Sequence, residues 1–277
     1  MKDIIFTVEH EGGLLQCVRE CLTDIPAGKS KSWLEHRQIS VDGVVTSRFD
    51  YPVKVGQTVQ IHASSQGVCD CPLEILYEDE VLLAVNKPAG LLTVASDTEK
   101  EKTAFRMVRD SGISPLFVVH RLDRDTSGVL LFARSAEIRD TLQNSWDEHV
   151  GREYLAICEG VFEQKSGRID TFLRETSTHL MYSAPSGARA ITNYEVTAEN
   201  AKYSVLRINL QTGRKNQIRA HMKEQSHPVA GDKKYGAKTD PFKRLALHAR
   251  VLTVMHPVSG RELRVEAPVP KLLKLPK

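Results

Sequence analysis

"VVHRLDRDTSGVLLFARS", residues 118–135, is the stretch on which the reading of this chain turns. On either side of its polar centre, Leu116–Val119 and Val129–Phe132 are short unbroken apolar runs, the pattern of strands buried in a core. Between them lie the nine residues His120 to Gly128, in which Asp123 and Asp125 stand beside Arg121 and Arg124. One reading is a solvated turn. The other is a carboxylate held at a strand end for chemistry. A carboxylate within reach of an arginine stays ionised, because the cation lowers its pKa. Such a group can attack an electrophilic carbon. Charged turns between strands are common, so the loop alone does not choose between its two aspartates; partners elsewhere must.

Further strand signals surround this loop at 153–158, 190–197 and 203–210, with helical periodicity at 136–148 and near 214–225. Upstream, "PLEILYEDEVLLAVNKPAGLLTV" supplies two more strand candidates and a Lys87-Pro88-Ala89-Gly90 turn. Helices scattered among many strands predict an α+β domain built on a mixed, largely antiparallel sheet with peripheral helices, over residues 73–277. "SSQGVCDC" has the composition of a linker, placed at 64–72.

Residues 1–63 read as a second, smaller α+β domain. Leu14, Leu15, Val18, Cys21, Leu22 and Ile25 form a helical stripe over 13–25. "KSKSWLEHRQ" is a short helix with Ser30 as candidate N-cap. "ISVDGVVTS" is a hairpin around Asp42-Gly43, and a strand alternating Val53, Val55, Val59 and Ile61 closes the unit. The pattern resembles the S4-type RNA-binding domain. That resemblance implies that Lys29, Lys31 and Arg37 face RNA phosphates, although the unit carries 7 basic against 8 acidic residues over 1–62.

The chain has 277 residues, of which 41 % are hydrophobic and 26 % charged, the make-up of an ordinary globular protein. No apolar run approaches the ~20 residues of a membrane span, and the N-terminus lacks a signal-peptide pattern, so a cytoplasmic protein with no membrane partner is expected. Five irregularly placed cysteines suggest no disulfide framework. Cys17 and Cys21, four apart on a helix, read as core residues; Cys69 and Cys71 make a lone C-x-C, and no histidine pair has metal-ligand spacing, so no metal is expected. No phosphate-binding glycine motif is present, which argues against a nucleotide cofactor. Charge is segregated: residues 201–277 hold 17 basic against 5 acidic residues, the footprint of a polyanion partner.

Seven blocks in order complete the picture: "LEILYEDEVLLAVNKPAGLL", "HRLDRDTSGVLLFARS", "REYLAICEG", "ARAITNYEV", "LQTGRKNQIRAH", "HPVAGDKKYG" and "RLALHARVLTVMHP". Together they resemble the RluA-type family of pseudouridine synthases from Pro72 to Pro268, and an S4-like domain often precedes that catalytic domain. The resemblance implies an isomerase that converts uridine to pseudouridine in RNA without a cofactor. It selects Asp123, closing "HRLD", as the essential carboxylate and leaves Asp125 to the turn. It implies that Tyr154 stacks on the target uracil, that Arg219 pairs with Asp123 and keeps it ionised, and that Arg121 helps hold the RNA. Arg214 and Lys215, in the basic turn before Arg219, are further RNA-binding candidates. One departure stands out: the family usually shows His where this chain has Asn216, and Asn cannot carry a proton charge.

The appended S4-like domain leans toward ribosomal RNA as partner, with transfer RNA as the alternative, and a monomer is expected because no long apolar helix stands spare. Two rivals remain. A non-catalytic RNA-binding protein has no need of Asp123, Tyr154 and Arg219 together. A glycoside hydrolase wants two cooperating acids about 5–10 Å apart, and the matched blocks supply one.

Overall fold

The computed structural model describes residues 3–23, 25–35, 38–46, 49, 51–62, 71–96 and 102–275. Arg37, Cys69 and positions 64–70 of the expected linker lie outside the described residues. By their internal contacts the residues group into two units, 1–72 with 105–116, and 73–104 with 117–277.

In the first unit, β1 (Ile4–Thr7) is followed by β2 (Gly12–Gly13), α1 (Leu14–Cys21), α2 (Ala27–Glu35), β3 (Ile39–Val41), β4 (Val44–Val45), β5 (Pro52–Val53) and β6 (Thr58–Ile61); α3 (Ala104–Asp110) also falls largely here. The sheet order is β1-β6-β3-β4, with β2 and β5 paired apart from it. Asp42 and Gly43 both take positive φ (49° and 80°), the left-handed pair that a two-residue hairpin turn demands. Leu14, Cys17 and Val18 of α1 pack with Trp33, Leu34, Ile39, Val59 and Ile61 in one core.

Three expectations change. Helix α2 begins at Ala27, directly after Pro26, whose fixed φ suits a helix entrance. Ser30 therefore lies inside the helix, buried, with its hydroxyl accepting from Arg19 Nε (3.4 Å). Val55 is exposed at the turn before β6, and Cys21 is exposed where the stripe runs off the end of α1. Cys17 is buried, and that burial pushes its thiol up to about 11.

The second unit has the α+β make-up expected of residues 73–277, but 105–116 group with the first unit instead. It contains β7 (Ile75–Glu78), β8 (Leu82–Lys87), β9 (Phe117–Val118), β10 (Ser127–Ala133), α4 (Ala136–Asn144), α5 (Trp146–His149), β11 (Gly151–Glu159), β12 (Ser166–Glu175), β13 (Met181–Ala184), β14 (Ala188–Glu199), β15 (Tyr203–Leu210), α6 (Gln217–Glu224), β16 (Leu247–Met255) and β17 (Glu262–Glu266). The sheet has eleven strands, ordered β13-β12-β14-β15-β11-β16-β10-β8-β7, with β17 on β16 and β9 on β10. Its named pairs are antiparallel except β10 with β16, which run parallel through Ser127–His248 and Gly128–Ala249. A side chain could not fit at Gly128: a Cβ there would lie 2.0 Å from the Ala249 carbonyl oxygen, at φ +120°.

Strand β10 is buried along its whole length, as its unbroken apolar run requires. Val129, Leu131 and Ala133 enter one core with Leu82, Ala84 and Leu142 of α4. Ile218 and Met222 of α6 pack with Ala156, Cys158, Leu206 and Ile208 in another. The long sheet thus carries the polar loop 119–126 into the start of its most buried strand.

Candidate active site

That loop is tied down at alternate residues. Leu131 donates its N–H to His120 Nε2 (3.0 Å), and the imidazole stacks on Trp146 at 4.7 Å between centroids. Burial pulls His120 down to about 3, so the ring is neutral and its proton sits on Nδ1. Leu122 is clamped on both sides of its backbone: its N–H donates to Thr93 Oγ1 (3.1 Å), whose hydroxyl donates to the Leu122 carbonyl (3.0 Å). The Arg124 carbonyl accepts from Gly90 N–H (2.9 Å) and from Lys87 Nζ (3.0 Å). Asp123 lies between two fixed neighbours. Its carboxylate makes no hydrogen bond among the described residues, although its side chain is only half-buried.

Lys87 is fully buried at the end of β8. Its ammonium donates to the carbonyls of Pro88 (3.0 Å), Leu91 (2.7 Å) and Arg124 (3.0 Å), using all three N–H donors. Burial lowers Lys87 to about 7, while Asp123 and Asp125 pull the other way. Asp123 shows the mirror image. Burial raises its carboxyl above the usual range, and the nearby charges of Arg219 and Lys87 oppose that rise without cancelling it. The expectation that a neighbouring cation leaves Asp123 with a lowered pKa is corrected, because desolvation outweighs the attraction.

Arg219 is also placed differently from expectation. Its Nε and Nη2 grip Asp232 in a bidentate pair (2.7 and 2.8 Å), and its Nη1 donates to Asn216 Oδ1 (2.8 Å). Its guanidinium lies 4.8 Å from the Tyr235 ring centroid. Arg219 and Asp232 are both buried, and two desolvated charges require close mutual contact. Arg219 therefore reaches Asp123 through space rather than through a salt bridge. Asn216 caps α6 in the left-handed conformation (φ 51°, ψ 22°), which Asn tolerates well, and its amide oxygen steers the arginine.

Tyr154 sits where the β11–β16 register shifts, between Glu153 and Tyr154, a bulge of the kind that re-aims a side chain. With His120, Leu122, Val129, Arg152, Ala249, Val251 and Leu252 it lines a small cavity. Burial pushes its phenol up to about 12, so it remains protonated at neutral pH. Asp123 is among the charges that act on this phenol, which places the two residues in one electrostatic neighbourhood.

The other candidates are exposed. Arg121 is exposed beside Asp123 and has no hydrogen bond or ion pair among the described residues. Arg214 donates to the Arg189 carbonyl (3.0 Å) and lies 3.9 Å from Asp147, and Lys215 pairs with Glu175. In the first unit, Lys29 and Lys31 are exposed on α2, with the Lys29 ammonium 5.8 Å from the Trp33 ring centroid. Sequence reasoning missed Lys87, Thr93 and Asp232. A lysine ending an apolar strand before a Pro-Gly turn was a signal, as was Asp232, the one acid in the basic "HPVAGDKKYG" loop.

Residues 81–224 match the family model described as RNA pseudouridylate synthase. The chain is 33 % identical to ribosomal large subunit pseudouridine synthase D of Vibrio cholerae, over 92 % of this chain and 87 % of that one. It is 38 % identical to tRNA pseudouridine synthase C of Haemophilus ducreyi, over 70 % of this chain and 90 % of the other. Among solved structures, human RNA pseudouridylate synthase domain containing 1 superposes with a TM-score of 0.61 at 25 % identity, covering 74 % of this chain and 86 % of that one.

Proposed function

Because the chain belongs to the RNA pseudouridylate synthase family and is an RNA pseudouridine synthase, we propose that it isomerises specific uridines of ribosomal RNA with Asp123 as the essential carboxylate. The observation that carries the assignment of Asp123 is its carboxylate, free of hydrogen bonds among the described residues and held between two backbone clamps. The choice of ribosomal RNA rests on coverage. The relative named for the large ribosomal subunit matches 92 % of this chain, whereas the one named for tRNA matches 70 %. We also propose that residues 1–63 are S4-like and contribute Lys29, Lys31 and Arg37 to RNA binding, and that the protein acts as a monomer in the cytoplasm.

The reaction breaks the N1–C1′ bond, turns the uracil and joins C5 to C1′; the proton leaves C5 and N1 gains one. One carboxylate suffices, either as nucleophile at C1′ or C6, or as base at the sugar. The fixed backbone holds Asp123 at one position while the base turns. A uridine drawn from folded RNA costs a few kcal/mol in lost stacking, and an aromatic face returns about 1–3 kcal/mol. That is the role assigned to Tyr154. A phenol kept protonated is a poor base, so Tyr154→Phe should retain most turnover while Tyr154→Leu loses about tenfold or more in kcat/KM. Equal activity in wild type and Tyr154→Leu would remove the stacking role.

Lys87 supplies a pH test. Its positive charge favours the ionised form of Asp123. Removing it in Lys87→Met should raise the Asp123 pKa further, so the acidic limb of kcat/KM moves to higher pH. A folded Lys87→Met protein whose acidic limb stays in place would show that Lys87 does not act on Asp123. Replacing Lys29 and Lys31 together by Gln should weaken RNA binding and flatten its salt dependence; unchanged binding would sink the S4-like role.

The direct test is pseudouridine mapping of total RNA from cells lacking the gene, complemented with wild type or Asp123→Asn. A site in ribosomal RNA restored by wild type alone supports the proposal. A restored site in transfer RNA would replace the substrate. A site restored by the mutant would dismiss Asp123.

A further inference from the structure

Arg244 stands out among the buried and half-buried arginines. Arg219 pairs with Asp232 and Arg152 with Asp147, yet the three hydrogen bonds of Arg244 all go to neutral acceptors. Its Nη2 donates to Ser127 Oγ (2.7 Å) and the Leu247 carbonyl (3.3 Å), and its Nε to the Leu245 carbonyl (3.0 Å). Among the described residues it has no carboxylate within 4.0 Å, and its Nη1 has no partner. Asp125 and Lys87 both interact with its charge through space, so the guanidinium lies in the electrostatic field of the catalytic loop.

Arg244 is held from two directions, by its side chain and by its main chain. Ser127 lies four residues beyond Asp123 and bonds His248 Nδ1 at 2.8 Å. His248 is fully buried, which drives it down to about 4, so Nδ1 accepts the serine proton and Nε2 faces the Ala267 carbonyl at 3.5 Å. That order leaves the Ser127 oxygen to accept from Arg244. On the other side, the Ala246 N–H donates to the Ala230 carbonyl (3.0 Å), and a Cβ on Gly231 would lie 2.2 Å from the Arg244 carbonyl oxygen. The next residue, Asp232, is the partner of Arg219. Arg244 is thus fastened both to the Asp123 loop and to the segment that fixes Arg219.

Resting on the function given above, we propose that Arg244 binds a phosphate of the substrate RNA next to the target uridine, through the open Nη1 edge of its guanidinium. A half-buried cation with no acid of its own forms strong charge-assisted bonds to phosphate oxygens. Phosphate contacts of this kind set register without reading sequence, which is what fixes a single uridine over Asp123.

The experiment uses the full chain and an RNA oligonucleotide carrying the site found by mapping, with each phosphate near the target replaced in turn by an uncharged methylphosphonate. Arg244→Met should raise KM about tenfold, by more than it lowers kcat. It should also reduce the slope of log affinity against log salt by about 0.7–0.9, the share of one phosphate. One methylphosphonate should reproduce that loss in the wild type and add less than about twofold in the variant. Additive losses at every phosphate, or an unchanged salt slope, would overturn the proposal while leaving the isomerase reading intact. If Arg244→Met does not fold, Arg244→Gln is read in the same way. If the wild type modifies no gene-dependent uridine, the function itself fails and this inference with it.

Discussion

Asp123→Asn should lose at least about a thousandfold in kcat, on the scale seen when a residue that forms the reacting bond is removed. Asn matches Asp in size and fits between the same clamps at Leu122 and Arg124, so the fold and RNA affinity should persist. The amide has neither the nucleophilicity nor the basicity of a carboxylate. Asp125 is exposed at the outer part of the same turn, and Asp125→Asn should keep most of the activity. The measurement is proton release from C5 of the target uridine, alongside RNA binding and thermal melting of each variant. Similar losses in both variants would mean that the loop is wrongly divided between chemistry and structure.

The second large effect is on stability. Asp232→Ala leaves the Arg219 guanidinium buried without its carboxylate. Breaking such a pair from one side costs about 3–5 kcal/mol, whereas replacing both partners with apolar residues costs far less. Denaturant unfolding should therefore rank the double variant Arg219→Met/Asp232→Leu above Asp232→Ala in stability, even though the double variant should lose activity. A single variant as stable as wild type would mean that solvent reaches the arginine and that the pair does little for the fold. Asp232→Ala should also impair catalysis, because the released arginine no longer holds its place in the field of Asp123.

Much of the fold was legible locally. The Asp42-Gly43 hairpin, the buried strand β10 and the positions of α4 and α6 follow from turn chemistry and periodicity over a few residues. The misses were short-range competitions: Pro26 starts α2 ahead of Ser30, and Val55 falls in a turn that breaks its alternation. The candidate site divides in the same way. Asp123 and Tyr154 are proposed from their blocks, whereas Lys87 looked like an ordinary turn lysine until the sheet buried it.

From sequence alone came the element types, the α+β class, the family resemblance and the choice of Asp123 over Asp125. The element types depend on neighbours a few positions away; the resemblance, and the selection of Asp123 that it implies, rest on seven blocks spread over residues 73–257. Only the tertiary structure decided the electrostatics: that Arg219 takes Asp232 as its partner, that Asp123 is raised rather than lowered, and that Lys87 sits near neutrality. The reason is desolvation. How much water a charge loses, and which opposite charge is close enough to replace it, depends on strands and loops far apart in the chain.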